Sequence, residues 1–129
     1  MALNRFILAL LPVWSAEFLL FAMVHGYSIT NDHILSASWL ASSLLLPIVA
    51  GNRIARQGGN RMVGCAGGAS VSVVTLVCLV VIEVFSTSDW LAVSGFAFAT
   101  IIFTMPIQSL SGLVGHWIHQ RPRSRQQAL

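Results

Sequence analysis

The sequence predicts an all-α membrane protein with four transmembrane helices in two antiparallel hairpins, and two observations carry this prediction. The first is composition, since 56% of the 129 residues are hydrophobic and only 9% are charged, unlike a soluble domain. The second is the distribution of charges, which cluster between four apolar blocks. Each block is close to the roughly 20 residues that a helix needs to cross a bilayer. A β-barrel is excluded because the blocks lack alternating polarity.

The predicted spans cover residues 6–27, 34–50, 62–85 and 90–117, and residues 118–129 form a basic cytoplasmic tail. The second span is the shortest, so we expect it to gain a turn from its flanks. The connections are too short for a further domain, and the chain is predicted to form a single four-helix domain. The first span is expected to be retained rather than cleaved as a secretory signal, because its apolar residues continue beyond Ser15 and Ala16.

The cations predict the orientation of the chain. All seven are arginines, and all fall on the same side of the predicted layout: Arg5, Arg53, Arg56, Arg61, Arg121, Arg123 and Arg125. By the positive-inside rule that side faces the cytoplasm, which places both termini inside and Asp32 and Asp89 outside. Because all the cations are arginine, which is typical of a GC-rich bacterial gene, we expect a multi-pass protein of a bacterial cytoplasmic (inner) membrane. The net charge of +3 indicates orientation in the lipid bilayer and does not predict nucleic-acid binding.

Small residues predict where helices approach closely, because lipid is as apolar as leucine and backbone contact must supply the attraction. Two candidate packing seams stand out, one in the third span and one in the fourth: Gly64, Gly68 and Ser72, then Gly95, Ala99, Ser111 and Gly115. The spacing is equally compatible with packing inside one chain and with contact between chains. We expect packing within the chain first, since four helices already need several close contacts.

Pro106 is predicted to kink the fourth span near its middle, because proline lacks a backbone N–H and crowds the preceding turn. Gln108, Ser109 and Ser111 follow directly. Their polar groups are expected either to satisfy the backbone freed at the kink or to line a cavity.

Glu17 is the residue that most strongly suggests a function. It lies about 18 Å along a helix axis from Arg5, near the middle of the bilayer. An ionised carboxylate there is costly, so it must be protonated, paired or exposed to water. It is a candidate for proton or substrate coupling, or else a hydrogen-bonded glutamic acid that joins helices. Glu83, two residues from the end of the third span, is a weaker candidate that could continue a polar line from Ser72.

Other reactive side chains do not form a recognisable site in the sequence. The four histidines fall at two different depths, His25 and His33 near one side and His116 and His119 near the other, so a shared haem is not expected. Cys65 and Cys78 are about 20 Å apart on one helix and cannot form a disulfide with each other. No catalytic motif is present. The sequence therefore predicts no cofactor, no metal and no enzymatic activity.

Two functions remain as hypotheses. The first is a small inner-membrane protein that acts by helix–helix contact as an accessory, assembly, immunity or exclusion partner without catalytic turnover. The second is a proton-coupled transporter of a small molecule or ion, working as a homo-oligomer with Glu17 as the coupling carboxylate. They differ in what Glu17 does: a transporter requires it to titrate, whereas a contact protein does not.

Overall fold

The computed structural model describes residues 2–26, 31–85 and 90–128, and within these ranges it leaves out the side chains of residues 25–26, 83–85, 92 and 122–128. The described residues form helices and contain no strand. Four helices are long and apolar enough to cross a membrane, which confirms the predicted all-α, four-span fold.

The first and third helices are uninterrupted and extend over Leu3–Gly26 and Arg61–Phe85. The second and fourth each contain a short π-helical segment, a stretch where the backbone bonds to the fifth residue instead of the fourth. The second is built from Asp32–Leu40, the π segment Ala41–Leu45 and Leu46–Arg56. The fourth is built from Trp90–Ala99, the π segment Thr100–Thr104 and Met105–Ala128.

The helices extend beyond the spans that the hydropathy pattern predicts, most of all the second and the fourth. The second begins at Asp32 rather than at residue 34, because the Asn31 side chain accepts hydrogen bonds from the N–H groups of His33 and Ile34 and caps it. Helix also continues to Ala128, so the segment predicted as a separate tail extends the fourth helix. Arginine and glutamine are good helix formers, and hydropathy alone therefore places the end of a helix too early.

A tight turn joins the second and third helices. Gly58 adopts φ +82° there, a conformation that glycine reaches without a Cβ clash. The side chain of Asn60 then accepts a hydrogen bond from the N–H of Val63 at 2.9 Å and caps the third helix. The buried His116 ring completes the turn from the fourth helix, with Nε2 2.7 Å from the Gly59 carbonyl oxygen.

The half of the bundle nearest Arg53 and Arg61, here called the basic half, is the tightly packed one. Its core contains Leu10, Val13 and Ile54 with small neighbours. Arg53 ties the second helix to the first, because its Nε donates to the Ala9 carbonyl at 2.7 Å.

Glycines bring the second, third and fourth helices into backbone contact in the basic half. A Cβ on Gly68 would overlap the Gln108 carbonyl, and one on Gly112 would overlap the Gly64 carbonyl. Gly115 lies equally close to the backbone of Ile48. Most of the predicted small-residue positions therefore face other helices of the same chain, with Gly112 an addition that the sequence analysis did not include.

The other half, formed by Asp32–Leu40, Trp90–Ala99 and the helix segments beside them, is here called the open half. Asp32–Leu40 has no buried residue. Gly95 and Ala99 are exposed, and a Cβ on Gly95 would meet no atom within 4 Å. Within the described chain, Gly95 of the predicted fourth-helix seam thus makes no close helix contact, and Ala99 is not buried against another helix.

Candidate functional site

Glu17 faces the interior of the bundle because it continues the buried face of the first helix. Ala9, Val13 and Glu17 are spaced four residues apart, which places them on one side of an α-helix. All three are buried, and Glu17 itself is 2% exposed. The four-residue spacing thus places the Glu17 carboxyl group on the buried face of the first helix, close to the other three helices.

One oxygen of the Glu17 carboxyl group is held by hydroxyl groups from two other helices. Ser42 of the second helix donates to Oε1 at 2.9 Å, and Thr75 of the third helix lies 2.6 Å from the same oxygen. The other oxygen, Oε2, is buried and has no hydrogen-bond partner among the described residues. Glu17 is therefore anchored on one side and leaves one acceptor for a proton or a ligand.

The Thr75 hydroxyl suits both protonation states of Glu17. It also lies 3.0 Å from the Val71 carbonyl of its own helix, and a hydroxyl has only one hydrogen to donate. With Glu17 ionised, Thr75 can donate to Oε1. With a proton on Oε1, the carboxyl group can donate to Thr75, which then donates to Val71. The same two partners accommodate the loss and the gain of a proton.

Glu17 lines a cavity of about 240 Å³ in the open half of the bundle. Its walls are mostly apolar and aromatic, with a few hydroxyl groups beside the carboxyl group, and come from all four helices: Leu20, Phe21, Val24, Leu35, Ser38, Trp39, Ser42, Thr75 and Phe96. A cavity with one carboxylate among aromatic faces is suited to a cation, which interacts with both.

A second cavity of about 280 Å³ adjoins the first. The two share Trp39, Ser42, Thr75 and Phe96 as common walls. The remaining walls of the second cavity are richer in hydroxyl and amide groups: Ser43, Ala99, Thr100, Phe103, Thr104 and Gln108. Ser43 is fully buried, and its Oγ has no partner among the described residues.

Gln108 links three helices beside this second cavity. Its Nε2 donates to the Ser42 carbonyl at 3.1 Å, and its Oε1 accepts from the Ser72 hydroxyl. The Ser42 carbonyl is available because the Leu46 N–H bonds to Ala41 and the next candidate donor, Pro47, has no N–H. Gln108 therefore satisfies a backbone group that the π segment and the proline leave without a helical partner.

Of the polar residues after Pro106, Gln108 bonds to the backbone of the second helix near Pro47, at the Ser42 carbonyl. Ser111 donates to the Ile107 carbonyl of its own helix at 2.8 Å, and its hydroxyl lies 3.5 Å from the Ser43 carbonyl. Ser109 donates to the Met105 carbonyl of its own helix at 2.9 Å. One residue separates Pro106 from the end of the π segment Thr100–Thr104. Likewise, one residue separates Pro47 from the end of the π segment Ala41–Leu45.

The remaining candidates are not among the described residues that line the Glu17 cavity. Glu83 belongs to the last turn of the third helix, and its side chain lies outside the described part of the chain, as does that of His25. Cys65 and Cys78 are free thiols on the third helix. Among the described residues, no group of three or more His, Cys, Asp or Glu side chains could hold a metal ion.

Sequence reasoning found Glu17 and Gln108 but missed Ser42, Ser43, Thr75 and Trp39. Hydroxyl residues in an apolar helix are common and usually bond to their own backbone, so they do not stand out. The one available signal was the pair of serines in "ASSLLLP", which precedes a proline. Comparisons of the chain with protein-family models, with curated proteins and with solved structures found no match.

Proposed function

We propose that this protein carries a small cationic solute across a bacterial inner membrane in exchange for protons, with Glu17 as the coupling carboxylate. The observation that supports this proposal is the state of Glu17, which is buried, anchored through Oε1 and unpartnered at Oε2 beside a cavity. A carboxyl group used only to join helices would have both oxygens satisfied, since an unpaired buried acceptor is costly.

Exchange follows from competition for one site. Ionised Glu17 attracts a cation, and the aromatic walls add favourable contacts with its charge. Protonation removes the negative charge and releases the cation, so proton and solute occupy the site alternately. Reversing the proton gradient across the membrane would then reverse the direction in which the solute moves. The basic end of the bundle faces the cytoplasm in this proposal, with both termini inside.

We expect the working unit to be a homo-oligomer. A chain of four helices encloses little space by itself. The walls of the Glu17 cavity already come from all four helices, so any further enclosure must come from a second chain. A second copy beside the open half would separate the cavity from lipid. The solute would then pass between two aqueous faces rather than through the bilayer.

The test is proton movement in proteoliposomes that contain a pH-sensitive dye. Adding a panel of small amines, or sodium or potassium ions, to one side should drive protons across the membrane for at least one solute. Glu17→Gln keeps the size and hydrogen bonding of the side chain but cannot titrate, so we expect it to reduce the flux to that of empty liposomes. Asp32→Asn, which removes an exposed carboxylate outside the cavity, is the matched control and should retain the flux.

Flux that survives in Glu17→Gln at the level of the native protein would overturn the proposal. In that case the second candidate applies, an accessory or assembly partner without catalytic turnover. The observation that favours it is the exposed position of Gly95 and Ala99, where a helix from another protein could approach closely. A stable complex that copurifies with both the native protein and Glu17→Gln, and that Gly95→Leu disrupts, is its expected signature.

A further inference from the structure

We infer that the two adjoining cavities form one binding site for an organic ammonium ion whose body carries a hydroxyl or similar hydrogen-bonding group. This inference rests on the proposed role of Glu17 and adds the chemical class of the solute. The ammonium group occupies the Glu17 cavity, and the polar body occupies the cavity lined by Ser43, Thr100 and Gln108.

The carboxylate end of the site favours an organic cation over a metal ion. Calcium and magnesium ions take six or more oxygen ligands, including carboxylates, and zinc takes about four ligands from His, Cys, Asp or Glu, of which no group of three exists among the described residues. Among the described residues that line the Glu17 cavity, the other oxygen-bearing side chains are those of Ser38, Ser42 and Thr75, and the remaining walls are aliphatic or aromatic. An ammonium group needs one carboxylate and gains from the faces of Trp39 and Phe96.

The second cavity explains why the body of the solute should be polar. Its wall includes Ser43, whose fully buried hydroxyl has no partner among the described residues, and Thr100, which is 6% exposed. A buried hydroxyl without a partner is unfavourable, and a ligand or water that bonds to it removes this cost. A purely aliphatic body would offer the Ser43 hydroxyl no hydrogen-bond partner.

The shared walls connect the two requirements. Ser42 and Thr75 contact Glu17 through their hydroxyl groups and also line the second cavity. Trp39 and Phe96 line both cavities as well. A single flexible chain with an ammonium group at one end can therefore place its other end beside Ser43.

The experiment compares aminopentanol with hexylamine, which have equal numbers of non-hydrogen atoms and differ in one terminal hydroxyl. Equilibrium binding of each amine is measured with the purified full-length protein in detergent. The Ser43→Ala variant is the decisive one, because the hydroxyl it removes has no partner within the described chain and its loss should not impair folding. Ser94→Ala, at an exposed position outside both cavities, is its matched control.

We expect Ser43→Ala to weaken aminopentanol about fivefold, which corresponds to one neutral hydrogen bond, and to leave hexylamine unchanged. Ser94→Ala should change neither amine. Both proteins are measured in the same detergent, so partitioning of hexylamine into micelles cancels when variant and native affinities are divided. Glu17→Gln should weaken both amines strongly.

Equal affinity of aminopentanol for native protein and Ser43→Ala would overturn the inference, as would an equal loss for both amines. If those results accompany a strong loss in Glu17→Gln, the proposed function stands and only the polar-body assignment fails. Absence of binding by either amine, or binding that Glu17→Gln leaves unchanged, would overturn the inference and remove the support for Glu17 as a cation site.

Discussion

The indole nitrogen of Trp14 donates to the Ser70 hydroxyl at 2.8 Å, and that hydroxyl lies 2.6 Å from the Gly67 carbonyl. This pair joins the first and third helices, and Glu17, Gln108 and His116 make similar connections elsewhere. Each polar group finds its partner on another helix or in a turn. In a lipid environment apolar contact does not distinguish one helix face from another, so these bonds specify which faces meet.

Replacing Trp14 with Phe should lower the free energy of unfolding by about 1 kcal/mol, because the apolar ring remains while the hydrogen bond to Ser70 is lost. Unfolding by a denaturing detergent, followed by circular dichroism, measures the difference. Trp90→Phe is the control, since Trp90 is exposed, and its effect should be clearly smaller. Equal effects of the two substitutions would show that the indole N–H does not stabilise the fold.

The second and fourth helices have the same arrangement: a π-helical segment divides each helix in two, and a proline lies two positions after the end of that segment. In the basic half, each of these helices has glycines whose backbone contacts a neighbouring helix. Toward the other end, each is only loosely packed and lines the two cavities. The same element therefore contributes a rigid half to the core and a less constrained half to the site.

The two ends of the fourth helix should respond oppositely to an added methyl group. Gly112→Ala should lower the free energy of unfolding by about 2 kcal/mol or more, because the new Cβ would overlap the Gly64 carbonyl and backbone atoms cannot easily move aside. Gly95→Ala meets no atom within 4 Å and should be neutral or stabilising by up to about 1 kcal/mol, since alanine favours helix. The detergent unfolding assay measures both.

A loss of stability in Gly95→Ala that equals the loss in Gly112→Ala and does not depend on protein concentration would contradict this account of the fourth helix. A loss that depends on protein concentration would instead mean that Gly95 contacts another chain, such as a second copy beside the open half. Repeating the measurement at several protein concentrations separates the two cases, because only contact between chains depends on concentration.

The whole molecule is asymmetric along its long axis. All seven arginines belong to one side of the sequence layout, and the Arg53 side chain donates to the Ala9 carbonyl in the basic half. The cavities and Glu17 lie toward the other half. By the positive-inside rule we therefore expect the basic half to face the cytoplasm and the Glu17 cavity to lie nearer the opposite side of the membrane.

Cysteine labelling should reveal this orientation directly. In a protein with Cys65 and Cys78 replaced by alanine, His33→Cys should react with a membrane-impermeant maleimide added to intact cells. Gln57→Cys, in the turn between the second and third helices, should react only after the membrane is permeabilised, because the positive-inside rule predicts that the arginine-rich side faces the cytoplasm. Labelling of both positions in intact cells, or the reverse pattern, would contradict the topology.

The fold was largely predictable from the sequence, whereas the site was predictable only in part. Span number follows from hydropathy because every spanning backbone must satisfy its own hydrogen bonds. Glu17 stands out because a carboxylate is rare in an apolar run. Ser42, Thr75 and Ser43 do not stand out, and their role depends on which helix lies opposite. The partner of Gln108 was also out of reach, since the freed carbonyl belongs to a residue 66 positions away.

The sequence by itself determined that this chain has four membrane helices, that its cations lie together and that one carboxyl group is buried among apolar residues. Those properties depend on each segment's own composition and on the cost of exposing polar groups to lipid. Only the tertiary structure decided which hydroxyls hold Glu17, which backbone carbonyls Gln108 satisfies and where cavities remain. These properties depend on contacts between helices, and such contacts are set by backbone approach at a few glycines rather than by the hydropathy of any one span.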